Sequence, residues 1–164
     1  MAGPLEGVKI VELGQMIAVP GASYLLATQG AEIIKVENTT GGDDLRMYGS
    51  RKSGMSGWFA NANAGKRSIG IDLMREEGKE ILWKLLRNTD VFVQGFRPGA
   101  VDRLGFSYEK VRSQLPRLIY VSSSGFGSSG PYSDRPVYDP VIQALSGWAG
   151  AQHTVEGPML IRGM

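Results

Sequence analysis

The sequence predicts an α/β fold: a Rossmann-like, doubly wound parallel sheet with helices on both faces. Three observations carry this. Short apolar runs, among them VKIVEL, AEIIKVE and DVFVQGF, alternate with segments of helical periodicity. The runs lack the regular polar and apolar alternation of a half-exposed sheet, as strands covered on both faces do. Near the start, strand, helix and strand follow in quick succession. Such a βαβ unit demands parallel pairing and a right-handed crossover.

VKIVEL (8–13) is the first strand. The apolar segment 17–27 is a helix with Pro20 near its start, where proline is tolerated, and Gly30 ends it. AEIIKVE (31–37) is the second strand. Residues 38–57 are polar and glycine-rich and are expected to be a loop; one this long is usually functional or mobile. KRSIGIDL (66–73) is a strand. EEGKEILWKLLRN (76–88) is a helix with Ile81, Leu82, Leu85 and Leu86 on one face. DVFVQGF (90–96) is a strand, PGAVDRLG starts a short helix, and SYEKVRSQL (107–115) is a helix capped by Ser107. RLIYVSSSG (117–125) is the last clear strand, and DPVIQALSGWAG (139–150) a helix with Pro140 in its first turn. The chain stops in PMLIRGM, an apolar run without a polar tail. The whole of 1–164 is therefore expected to be a single incomplete domain, the front part of a truncated one.

Composition narrows the function. The 164 residues contain no cysteine, which excludes disulfides, thiolate metal sites and a cysteine nucleophile. One histidine, His153, excludes a multi-histidine metal site and leaves little room for a Ser-His triad. Asp43 and Asp44, flanked by glycines and without further carboxylates, read as a turn, so no metal is expected. Lys66, Arg67 and Arg75 read as solvated strand and helix ends. A net charge of +2 gives no ground for nucleic acid or a membrane surface as partner. MAGPLEGVKIVEL is not a signal peptide and no apolar run reaches a membrane span, so the expected location is cytoplasmic.

Open α/β sheets bind ligands beyond the carboxyl ends of their strands. Those ends are Gly14–Ile17, Asn38–Arg46, Gly95–Gly99 and Ser122–Gly130. Backbone amides and guanidinium forks there suit phosphates, and Phe96 suits an apolar part of the same ligand. Two readings of Gly95–Gly99 stand. It is one wall of a site for a phosphorylated, partly apolar molecule, or a tight turn with Phe96 in the core and Arg97 solvated; alone, the stretch favours the second. Gly125, Gly127 and Gly130 form a literal G-x-G-x-x-G, the dinucleotide pattern, but Pro131 and Pro136 disfavour the helix it needs. A glycine-rich loop over a ligand is the better reading. Ser122–Ser124 lack a nucleophile elbow.

GPLEGVKIVEL, GAEIIKVE with GGDDLR, NAGKRSIGIDL, DVFVQGFRPGAVDRLG, LIYVSSSGFGSSGPY and RPVYDPVIQALSG occur in this order. Together they resemble the N-terminal part of a class III CoA-transferase, the family of formyl-CoA transferase, carnitine CoA-transferases and α-methylacyl-CoA racemase. The resemblance covers nearly the whole chain. It implies a protein more than twice as long, an interlocked homodimer, and coenzyme A lying across the strand ends. By position it implies CoA contacts at Ile71, Gly95, Phe96, Arg97, Arg103 and Leu104, and a thioester-lining loop at Met16, Ile17 and Ala18. Asn38 stands where some relatives carry an arginine beside the nucleotide. Met74 stands where some carry lysine, with Arg75 next to it as a substitute.

Racemases of the family carry a histidine acid/base at the place of Tyr138. Tyrosine, with an ordinary pKa near 10, is a poor general base at neutral pH, which favours the transferase branch. The transferase nucleophile that the resemblance implies is an aspartate lying beyond Met164. It attacks the acyl-CoA thioester to give a mixed anhydride and CoA thiolate. The thiolate then forms an aspartyl-CoA thioester, which the acceptor carboxylic acid enters. Asp134 and Asp139 do not match its motif. The expectation is an acyl-CoA:carboxylate CoA-transferase, with this stretch binding CoA at most and inactive alone. The alternatives are a racemase of the same family and a dinucleotide-binding oxidoreductase domain.

Overall fold

The computed structural model of the protein describes residues 3–152. The structure divides after Ser123 into two compact units. His153 and the expected strand at PMLIRGM lie outside the described residues.

The first unit is built on five parallel strands: β1 (Lys9–Leu13), β2 (Glu32–Glu37), β5 (Arg67–Gly70), β6 (Val91–Gln94) and β7 (Ile119–Ser122). Their order across the sheet is β5-β2-β1-β6-β7. The chain starts at the centre, steps outward through β2 to β5, then returns to the other side of β1 for β6 and β7. The order therefore reverses between β1 and β6, where Leu13 stands opposite Gln94.

Each face has its own core. On one, Ile10 and Ile33 pack with Ala31, Leu26 and Ala27, so α1 (Ala18–Ala27) covers it. On the other, Val11, Val36 and Phe92 pack against Leu82 and Leu86 of α3 (Glu76–Leu86), Val101 of α4 (Ala100–Arg103) and Val111 of α5 (Tyr108–Gln114). Successive strand residues point to opposite faces, so these neighbours feed two different cores. That is the doubly wound arrangement expected.

Four local expectations change. Leu82 and Leu86 of α3 are fully buried and Leu85 packs against the core, but Ile81 is 42% exposed. The buried stripe runs through Gly78, Leu82 and Leu86 at i, i+4 and i+8, and Ile81 falls beside it. The stretch 38–57 is not a plain loop. It holds a 3-10 turn at Asp44–Met47 and a hairpin of β3 (Arg51–Lys52) and β4 (Met55–Ser56). The helix α2 (Gly57–Asn63) follows, with the Ser56 hydroxyl accepting the Phe59 N–H as its cap. Lys66 is not solvated: its side chain is 2% exposed.

Ser107 caps α5 as expected, its hydroxyl accepting the Lys110 N–H. In the second unit the expected helix 139–150 is two helices, α6 (Asp139–Leu145) and α7 (Trp148–Ala151). The break is Gly147, at φ 81°, a conformation that a side chain makes costly.

Candidate functional site

A cleft of about 440 Å³ opens at the carboxyl ends of β1, β2, β5 and β6, around the point where the strand order reverses. Its apolar walls come from Leu13, Val36, Ile71, Leu73, Phe96 and Leu104. Gln15, Asn38, Thr39 and Thr40 give it a hydrogen-bonding edge, and Met74, 80% exposed, stands at its mouth. This is where open α/β sheets place ligands.

Two glycines shape the turns beneath it. A Cβ on Gly14 would lie 2.4 Å from Val19 Cγ1, and one on Gly95 would lie 2.9 Å from Val19 Cγ2. The first helical turn of α1 therefore docks its buried Val19 between the ends of β1 and β6. Gln94 completes this floor. Its Nε2 donates to the Ser122 hydroxyl at 2.7 Å, and its Oε1 accepts the Phe96 N–H at 2.8 Å. Phe96 is half-buried against the core and also lines the cleft. Arg97 is exposed.

The cleft contains two carboxylates, and both are engaged. Glu37 receives Arg46 Nε at 2.8 Å, Arg46 Nη2 at 2.7 Å, the Ser68 hydroxyl at 2.5 Å and the Asp43 N–H at 2.8 Å. Burial alone pushes its pKa up, but these donors and the Arg46 charge outweigh that and bring it down from 4.5 to about 2. The Arg46 guanidinium also lies 3.8 Å from the centre of the Phe59 ring. Asp72 accepts the Met74 N–H at 3.0 Å and stands 3.5 Å from Arg75. The walls are therefore close to neutral.

Beneath the β1–α1 turn lies a buried group of four charges. Lys35 Nζ donates to Glu12 Oε1 at 2.7 Å and to the Gly14 carbonyl at 2.7 Å, and pairs with Asp43 Oδ2 at 2.8 Å. That last contact has ion-pair distance but no hydrogen-bonding alignment. Lys66 Nζ donates to Glu12 Oε2 at 2.8 Å, to the Pro20 carbonyl at 2.7 Å and to Asn63 Oδ1 at 3.0 Å. The Ser23 hydroxyl donates to Glu12 as well. Burial lowers the pKa of Lys66, with Glu12 opposing. Two lysines against two carboxylates leave the group neutral, the condition under which buried charges persist. Asp43 Oδ1 accepts the N–H groups of Met16 at 3.0 Å and Leu45 at 2.9 Å. Met16 has φ 63°, in the left-handed region.

The structure gathers several of the residues singled out by sequence. Ile71, Phe96, Leu104 and Asn38 line the cleft. Asn38 spends its side chain on its own loop: Oδ1 accepts from the N–H groups of Thr40 and Gly42, and Nδ2 donates to the Gly42 carbonyl. Met16, Ile17 and Ala18 follow β1, and Gly95 and Arg97 follow the neighbouring β6, so they share one edge of the sheet. Arg97 and Arg103 are exposed and carry no ion pair among the described residues. Each adjoins a lining residue in sequence. Arg75 pairs only loosely with Asp72. Tyr138 belongs to the second unit, where it precedes α6 and is 68% exposed. No helix opens between Ser123 and Tyr138, so Gly125, Gly127 and Gly130 do not form a dinucleotide fingerprint.

The sequence reading missed Leu73 and Glu37 as lining residues and overlooked the buried group. Its signals were charged residues inside apolar strands: Glu12 in KIVEL, Lys35 in EIIKVE. Among the described residues no cluster of metal-binding side chains occurs, and no helix is long and apolar enough to cross a membrane.

A five-stranded parallel sheet with a neutral, half-apolar cleft at its reversal point defines a doubly wound α/β protein, a class whose ligands sit at the strand ends. The description "CoA-transferase family III" matches residues 5–164, and the chain belongs to that family. It is 41% identical over 156 residues to the acetyl-CoA:oxalate CoA-transferase of Acetobacter aceti, covering 95% of this chain and 40% of that one. It is 39% identical over 163 residues to the formyl-CoA:oxalate CoA-transferase of Streptomyces avermitilis, covering 99% and 40%. The crystal structure of a CAIB/BAIF family protein from Brucella suis superposes with a TM-score of 0.93 at 36% identity, over 100% of this chain and 44% of that one. The chain thus spans about two-fifths of the length of the curated relatives it matches.

Proposed function

We propose that this chain is the CoA-holding part of an acyl-CoA:carboxylate CoA-transferase. The observation that carries the reading is the cleft at the reversal between β1 and β6, whose walls join apolar side chains to a hydrogen-bonding edge. Its volume lies toward the lower end for ligand sites, enough for one portion of CoA rather than all of it. The neutral walls of Ile71, Phe96 and Leu104 suit the adenosine or pantetheine. The exposed guanidinia of Arg97 and Arg103, with Arg75 at the start of α3, suit the phosphates. Met16, Ile17 and Ala18 line the thioester end, with the backbone amides of Ile17 and Ala18 available to a developing oxyanion, the Met16 N–H being already held by Asp43.

In this reading a carboxylate supplied by sequence beyond Met164 attacks the thioester carbonyl. The carbon–sulfur bond breaks and CoA leaves as thiolate, giving a mixed anhydride. The thiolate then attacks the enzyme's acyl carbon and expels the first acid as its carboxylate. The acceptor carboxylate attacks the resulting enzyme thioester, and returning thiolate completes the exchange. The 164 residues alone transfer nothing, and the working protein is a homodimer in the cytoplasm. The racemase alternative is disfavoured by Tyr138 standing where that branch carries histidine. Calorimetric titration with CoA and with NAD tests the binding: saturable heat with CoA alone is expected. Saturation by NAD but not CoA overturns the reading.

A further inference from the structure

Asp43 sits where two parts of the site meet. Its own N–H donates to Glu37, a wall of the cleft, while its Oδ1 accepts the N–H of Met16 in the β1–α1 turn. The residue is 1% exposed, and Lys35 faces its other oxygen at 2.8 Å. Lys35 is fixed in turn by Glu12 and by the Gly14 carbonyl, at the start of the same turn. Met16 is in a backbone conformation that non-glycine residues rarely adopt, which persists only where surroundings enforce it. The enforcing contact on its N–H is Asp43.

We propose that Asp43 is a positioning residue for CoA transfer: from behind the cleft wall, tied to the lining residue Glu37, it latches the Gln15–Ala18 turn in the one conformation that presents the thioester correctly. Lys35 faces the other oxygen of the latch, and Glu12 with Lys66 keeps Lys35 in place. The proposal rests on the transferase reading above. A latch of this kind acts on the geometry of the reacting end and not on the grip of the nucleotide, so its loss falls on kcat. Small misplacements at a reacting centre cost large factors in rate.

The test is a double-mutant cycle in the full-length protein that carries this chain, with Asp43→Ala and Met16→Gly, since glycine holds a positive φ without strain. Asp43→Ala is expected to lower kcat by about tenfold or more, with the Kd for CoA changed less than about twofold by calorimetry. In the Met16→Gly background the same change is expected to cost no more than about threefold. Equal losses in both backgrounds, or a loss confined to KM, overturn the proposal. If Asp43→Ala does not fold, Asp43→Asn, which keeps Oδ1 as acceptor, replaces it. A kcat near that of the unaltered protein then supports the latch, and a large equal loss in both backgrounds overturns it. Hydrogen exchange at the Met16 amide separates the two readings. An inactive unaltered protein sinks the transferase reading, while loss of Met16 protection in Asp43→Ala still upholds the latch and unaltered protection sinks it.

Discussion

The Arg46 guanidinium grips the Glu37 carboxylate through two parallel hydrogen bonds, Nε to Oε2 at 2.8 Å and Nη2 to Oε1 at 2.7 Å. This fork–fork geometry is the strongest form of the pair. It fastens the 3-10 turn to the end of β2 and pairs the more buried of the two carboxylates in the cleft.

The first prediction concerns pH. The folded-state pKa of Glu37 is depressed, from 4.5 to about 2. The group therefore adds stability that is fully present above 4.5 and is lost as pH falls toward 2. At about 1.4 kcal/mol per unit, the full contribution is on the order of 3 kcal/mol. Urea unfolding of Glu37→Gln should show this loss at pH 7 and a flatter stability curve between pH 4.5 and 2. Parallel curves for the two proteins in that window would remove Glu37 as the titrating group.

The parallel sheet was legible because strand ends are marked twice, by the close of an apolar run and by a glycine. VKIVEL before Gly14 and DVFVQ before Gly95 show this, and the cleft residue Phe96 follows from those ends, whereas Ile71 and Leu104 were reached only through the family resemblance. The buried charges were not legible, because Lys35 and Glu12 look like the polar members of ordinary strands. Only the fold shows that the strand carrying each lies centrally under the β1–α1 turn, with partners up to 54 residues away. Helix α2 escaped for another reason. GWFANAN has no charged residue and only seven positions, so its helical period is hard to read, and the polar run before it masked the Ser56 cap.

The second prediction addresses the buried group. Lys35→Met removes the counter-charge of Asp43 and one of the two facing Glu12. Breaking a buried pair by deleting one partner leaves an uncompensated charge, at about 3–5 kcal/mol. Lys35→Met should lose about this much in chemical denaturation, and Lys35→Met with Asp43→Asn should lose less than the two singles summed. Additive losses would show that Lys35 and Asp43 are not coupled.

The third prediction concerns the close approach at the strand ends. Gly14→Ala places a methyl 2.4 Å from Val19 Cγ1, and Val19 is β-branched and cannot turn away. Overpacking of this kind costs about 1–3 kcal/mol. Val19→Ala should relieve little of the cost in the Gly14→Ala background, because Val19 Cβ stays 2.5 Å from the added methyl, while destabilising the unaltered protein. If Gly14→Ala leaves the thermal midpoint unchanged, Val19 has room that the structure denies it.

The fourth prediction separates the two kinds of contact expected with CoA, using Phe96 and Arg97. They are neighbours in sequence but differ in surroundings: Phe96 is half-buried against the core and the cleft, whereas Arg97 is exposed without an ion pair. If Phe96 covers an apolar part of the ligand, its contribution comes from area removed from water and is insensitive to salt. If Arg97 binds a phosphate, its contribution is a charge-assisted hydrogen bond of about 1–3 kcal/mol, weakened by added salt. Arg97→Ala should therefore weaken CoA binding most at low ionic strength, and its deficit should shrink as salt is added. Phe96→Ala should weaken binding by an amount that stays level across the same series. The titrations are run with CoA and with dephospho-CoA. An Arg97→Ala deficit that is the same for both ligands assigns Arg97 to the diphosphate, and one that vanishes with dephospho-CoA assigns it to the ribose 3′-phosphate. A deficit absent with both at every salt concentration returns Arg97 to the solvent and leaves the phosphates to Arg103 and Arg75.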